Sequence, residues 1–168
     1  MAGPDPNPGL RARLLTMRVI HLALVAGCLS FAAIVIYLRS QPGAAVAELP
    51  VLSFAGIAFA TMTAMAAVVV PGMLVGNWRR KLAAGDAPAP ETDPRWWDLY
   101  QTRLIVVAAL LEGTVFFQLV AFLVEGMPWN LGLGAVFLVG LALLFPTRER
   151  VERWIRAQHE MAEQERRL

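Results

Sequence analysis

One carboxylate interrupts the most apolar part of this chain. Glu112 lies near the middle of the run from Leu104 to Val124, and an ionisable group that far from water is costly in a bilayer. Two chemistries suit a lone acid there. Reversible protonation would make it a station in a proton or ion path. A permanently protonated Glu112 would instead donate a hydrogen bond to Thr63, Ser30 or a backbone carbonyl and join helices. At a helical rise of about 1.5 Å per residue, Glu112 sits roughly 13–14 Å beyond Arg103. The same depth falls at Gly27 and Cys28, between Met62 and Ala66, and near Val136, and no Lys, Arg or His occupies that level. A neutral acid inside a helix contact is therefore expected over a buried ion pair.

The other chemistry-bearing residues are scattered. Gln118 is about 120° around the helix from Glu112, so a second, separate interhelical hydrogen bond is expected of it. Glu125 stands at the border of its run and is expected in water. His21 lies nearer the opposite border, where an imidazole can titrate or simply rest at an interface. The single cysteine, Cys28, excludes an intramolecular disulfide and any multi-cysteine metal site. The VAGC ending in Cys28 has the look of a weak lipidation signal. The apolar LSFAAIVIYL that follows continues a span instead of turning polar, so an uncleaved first helix is preferred. Neither HExxH, Walker, GxGxxG nor GxSxG spacing occurs, and acids, histidines and nucleophiles do not cluster. No cofactor, metal or catalytic activity is expected.

The elements that must hold these residues follow from segregation of charge. Hydrophobic residues make up 57% of the 168 and charged residues 17%, more apolar than a water-soluble domain. Spans are expected at about 17–38, 50–75, 101–124 and 129–145, each near the 17–25 residues that cross a core of about 30 Å. The fold class is all-α: a polytopic membrane protein with four transmembrane helices in a bundle (17–146) and a C-terminal cytoplasmic amphipathic helix. Residues 1–16, with MAGPDPNPG, read as a disordered basic tail. Residues 76–100, with GDAPAPETDP, read as a cytoplasmic loop, and Pro71-Gly72 as a kink or stop.

Orientation follows from the basic residues. With both termini on the cytoplasmic side of an inner membrane, every one of the 15 Lys and Arg residues except Arg39 falls inside. Trp78, Trp96, Trp97 and Trp129 fall near span ends, as ring anchors at the headgroup level would. The net charge of +2 and the absence of a basic, aromatic-laced stripe argue against nucleic acid. The partners implied are the lipid bilayer and, in the membrane plane, another copy or other membrane proteins.

Small residues at four-residue spacing let backbones approach in lipid. Ala23 and Gly27, then Gly56, Ala60 and Ala64, then Ala109 and Gly113 follow that pattern. LVAGCLSF at 24–31 and LLEGTVFF at 110–117 match loosely, which suggests two hairpins in parallel repetition. In residues 147–168, Thr147 can cap a helix after Pro146. Glu149–Arg153, Glu152–Arg156 and Glu163–Arg167 are i,i+4 pairs. Val151, Trp154, Ile155, Gln158 and Ala162 share one side, which leaves a solvated helix, a surface-lying one and a partner-docking one open.

RLIVVAALLEGTVFFQLVAFLVEG followed by FPTRERVERWI resembles an uncharacterised family of bacterial four-pass membrane proteins, which implies location and fold only. ALLEGTVFFQLVAFL is also faintly similar to the carboxylate-bearing helix of the rotary ATP synthase c subunit. That resemblance implies a proton-handling role for Glu112. The sequence departs from it in its second span, which has only Gly56 and Gly72, and in its long 76–100 stretch. A structural or accessory component is the preferred role, and a proton- or ion-handling subunit is the alternative.

Overall fold

The computed structural model describes residues 8–43, 49–83 and 95–167. They form five helices and no strand: α1 (Pro8–Arg39), α2 (Val51–Ala83), α3 (Arg95–Glu125), α4 (Pro128–Leu143) and α5 (Arg148–Arg167). Three of them, α1, α2 and α3, are long and apolar enough to cross a membrane. The α4–α5 pair, bent by 81°, makes a possible fourth span. Taken alone, α4 has 16 residues, roughly 24 Å of helix.

The helices outrun their apolar segments. Residues 8–16, expected as tail, already belong to α1, and much of the expected 76–100 loop is helix, since α2 runs to Ala83 and α3 starts at Arg95. Hydropathy marks where water begins, but backbone hydrogen bonding continues until a turn intervenes. The proline-rich parts of the tail and loop, 1–7 and 84–94, lie outside the described residues, as do 44–48 and 168. Pro71 does not end α2 either: it is buried inside the helix. It lacks the N–H that would bond Ala67 O, which weakens one turn without stopping the helix.

Turn chemistry fixes the connections. After α1, Ser40 Oγ donates to Tyr37 O at 2.7 Å and Gly43 takes a φ of +83°. Between α3 and α4, Gly126 closes the helix with N–H to Phe122 O at 2.8 Å and a φ of +70°, a region that favours glycine. The Arg39 guanidinium lies against Gly126 and over the Phe122 ring, so a side chain at 126 would also lack room. Pro128 then opens α4, where its missing N–H costs nothing. At the far end Thr147 Oγ1 accepts from Arg150 N at 3.3 Å and caps α5.

α3 is the hub. It packs on α1, α2 and α4, whereas α1 and α2 have no extensive contact with each other. Phe116 of α3 meets Phe31 of α1 at 5.1 Å, and Phe117 stacks on Phe59 of α2 at 5.2 Å, so adjacent α3 rings serve different neighbours. Cys28, Val35, Ala108, Val115, Leu119 and Leu141 form the central core. The expected pair of equivalent hairpins is not seen, because α3 and α4 pack closely and α1 and α2 do not.

The small-residue pattern is used in only one place. Gly56 and Ala60 are buried, but Ala23, Gly27, Ala64 and Ala109 are exposed and Gly113 is half-buried. A Cβ added at Gly27 or Gly113 would meet nothing within 4 Å. These positions open onto wide uncovered apolar surface, including Leu22 and Leu29 of α1 and Met62, Met65 and Val68 of α2.

α5 folds back across the end where α1 begins and α4 stops. Its apolar side, with Val151 and Ala162 fully buried, faces α2 and α3. Val151 joins Leu14, Met17, Tyr100 and Leu104 in one cluster, while Trp154 and Ile155 bridge it to a second around Val75 and Trp96. The stripe expected from sequence therefore seals this protein's own end. The ion pairs differ from expectation. Glu152 pairs with Arg148 at 2.7 Å, so the expected pairing with Arg156 is not made, and Arg153 donates to Glu149 O instead of its carboxylate. Exposed pairs of this kind interchange at little cost. The Arg167 side chain lies outside the described residues.

Candidate functional site

Three groupings of polar side chains sit on this frame. The first is Glu112. It is half-buried in α3 and lies within electrostatic reach of Cys28 on α1. No hydrogen bond joins it to Thr63 or Ser30 among the described residues. The geometry explains why. Glu112 is one turn before Phe116, on the side of α3 that meets α1 through Phe31. Thr63 is buried on α2, one turn after Phe59, which meets α3 about 140° further round at Phe117. Ser30 is on α1 but exposed, turned away from the contact.

The second grouping lies at the Arg39 end and ties α2, α3 and α4 together. Gln118 is fully buried and donates from Nε2 to Gly56 O at 2.8 Å, the interhelical bond expected of it. The bond needs glycine, because a Cβ at position 56 would stand 2.8 Å from that same nitrogen. Asn130 Nδ2 donates to Ser53 Oγ at 2.7 Å. Glu125, expected in water, is 2% exposed. Its two carboxylate oxygens accept from Leu52 N at 2.5 Å and Ser53 N at 2.7 Å. These are first-turn donors of α2, which have no partner within their own helix. A carboxylate there also complements the positive end of the helix dipole. Glu125 is thus an N-cap supplied by another helix, and water is replaced by backbone.

The third grouping is at the α5 end. Trp96, expected at a headgroup border, is 1% exposed and packs edge-on against Trp154 at 6.1 Å and His159 at 5.4 Å. Tyr100 meets Trp154 at 5.4 Å. Trp97 is half-buried against the Leu14–Met17 cluster, and Trp78 lies under the Arg95 guanidinium at 4.8 Å. Of the four expected anchors, Trp129 is the most open, at 39%. His21 is buried edge-on to Phe145 at 5.7 Å, with Arg18 donating nearby to Pro146 O at 3.2 Å.

Between α2, α3 and α5 this end encloses a cleft of two adjoining cavities, about 310 and 360 Å³, which share Ala67, Arg103 and Trp154. Arg103 and Arg150 border the first and Arg79 the second, and neither is lined by Asp or Glu. No protein family, no characterised protein and no solved structure matches this chain. The three groupings therefore stand on their own chemistry. Among the described residues, His, Cys, Asp and Glu side chains do not gather in threes as metal ligands would.

The cleft and the Glu125 cap were not foreseen from sequence. A signal for the cleft exists: neither Arg103 nor Arg150 has an acid three or four positions away. Helical neighbours therefore cannot neutralise them. Glu125 gives no such sign, since its partners are backbone groups some seventy residues earlier.

Proposed function

We propose that this chain is an integral membrane protein that crosses an inner membrane four times, with both termini cytoplasmic. We propose further that it acts as a non-enzymatic structural or accessory component. The observation that carries this reading is the number of large apolar side chains that α1 and α2 leave uncovered, which water would not tolerate at this extent. The use of its buried polar groups supports a structural role. Gln118, Asn130 and Glu125 are all engaged in joining helices, as interhelical hydrogen bonds do in lipid. The same apolar surface, with Ala23 and Gly27 open upon it, suits another copy of the chain or another membrane protein.

A fusion experiment tests the topology. A reporter active only in the cytoplasm is expected to work at the C-terminus and to fail in the connection after Arg39. A C-terminal reporter active only on the far side of the membrane would refute the orientation.

A second reading, a proton- or ion-handling subunit using Glu112, is favoured by one observation: this half-buried carboxyl has no hydrogen-bond partner among the described residues. On this reading a hydrophobic carbodiimide labels Glu112 in a pH-dependent way, and Glu112→Gln abolishes an associated flux with assembly intact. A flux indifferent to Glu112→Gln would leave the carboxyl a passive group.

A further inference from the structure

The cleft at the α5 end is not used by the helix-joining groups. We propose that it binds the phosphate-bearing head group of an anionic phospholipid, whose acyl chains leave along α2 and α3. The proposal rests on the membrane insertion proposed above.

The guanidinium groups are the first argument. Arg103 has its guanidinium carbon 5.9 Å from the Trp154 ring centre and no carboxylate partner among the described residues. Arg150 gives one N–H to Leu143 O, which leaves most of its five donors for the cavity. The Tyr100 hydroxyl lies within electrostatic reach of both. Arg79, which lines the second cavity, is already engaged by Glu165 at 3.7 Å. Arg103 is half-buried and Arg150 is exposed, so a bound anion would offset the partly desolvated charge of Arg103 and find a second, water-facing cation in Arg150.

The walls are the second argument. Ala67, Leu104, Val107 and Leu144 line the first cavity beside the arginines. A free phosphate has no use for such a surface, whereas a phospholipid is polar at one end and apolar at the other. Val68 and Gly72, in the second cavity, are exposed, so the cleft reaches the outer surface of the helices. The volumes suit a head group and not a whole lipid, so the chains must lie outside. Position agrees as well: Arg103 and Arg150 mark the cytoplasmic ends of spans three and four, where basic pockets between helices meet anionic lipid heads.

The test uses the full chain, purified in a zwitterionic detergent, with binding followed by native mass spectrometry and thermal melting. The added probes are dioleoyl phosphatidylglycerol, dioleoyl phosphatidylcholine and inorganic phosphate. Phosphatidylglycerol is expected to bind and raise the melting temperature, and the other two are not. Arg103→Gln with Arg150→Gln is expected to weaken phosphatidylglycerol binding about tenfold. Arg103→Lys with Arg150→Lys keeps the charge and is expected to retain most of it. Arg153→Gln, exposed on α5 outside the cleft, is expected to change nothing. Equal binding of both lipids, or undiminished binding by the glutamine pair, would overturn the proposal. A response to inorganic phosphate as large as that to lipid would overturn the lipid assignment in favour of a soluble phosphate. Recovery of the chain in the soluble fraction of cells would defeat membrane insertion itself, whereas a membrane-bound chain without lipid selectivity would defeat only the site.

Discussion

Gly56→Val is expected to destabilise the fold by about 3 kcal/mol, the sum of overpacking and a lost buried hydrogen bond. The added Cβ alone would stand 2.8 Å from Gln118 Nε2, so the fully buried amide would have to move and give up its hydrogen bond. Forced aside, Gln118 surrenders its bond to Gly56 O and strands its own buried amide N–H. Melting in detergent by circular dichroism measures the loss. Gly72→Val is the control, because a Cβ there meets nothing within 4 Å. The control is expected to show only the small effect of a β-branched residue in a helix. Equal losses at the two positions would refute the assignment of Gly56 as a contact that requires glycine.

The second large effect is expected at Glu125. Glu125→Leu removes both acceptors from the first turn of α2 and strands the N–H groups of Leu52 and Ser53. Glu125→Gln keeps one acceptor oxygen but loses the charge and the paired geometry. The expected order of melting temperature is wild type, then Gln, then Leu. Protease susceptibility of the connection before Val51 is expected to rise in the same order. A Leu variant as stable as the Gln variant would indicate that the carboxylate is solvated after all.

How much of this was legible in sequence depends on whether a residue's surroundings are polar or, as on the proposed insertion, apolar on every side. Where they are polar, pattern speaks. The Thr147 cap, the apolar side of α5 and the ends of the apolar runs all follow from polar residues marking solvent. Within the spans, the core side and the outer side are both apolar, so no periodicity tells them apart. This is why Ala23 and Gly27 look like packing residues and are found exposed, and why the central position of α3 is not visible in its composition. Gln118 is the exception that supports the rule, since a single amide in a span has to find a partner and does. Glu112 follows the opposite course. Its depth was legible, but its neighbour depends on which side of α3 each helix takes, and Thr63 lies on the wrong one.

The separation of α1 from α2 bears on how the chain is made. On the membrane insertion proposed above, a ribosome delivers α1 and α2 to the membrane before α3 exists, and these two helices have little surface in common by which to recognise each other. They must wait, side by side or apart, until the third arrives and gathers both. The Leu52 and Ser53 donors are likewise held open until Glu125 emerges at the end of α3. A chain stalled after its second helix is therefore an orphan with an uncapped end. That is the state in which cellular quality control would meet it.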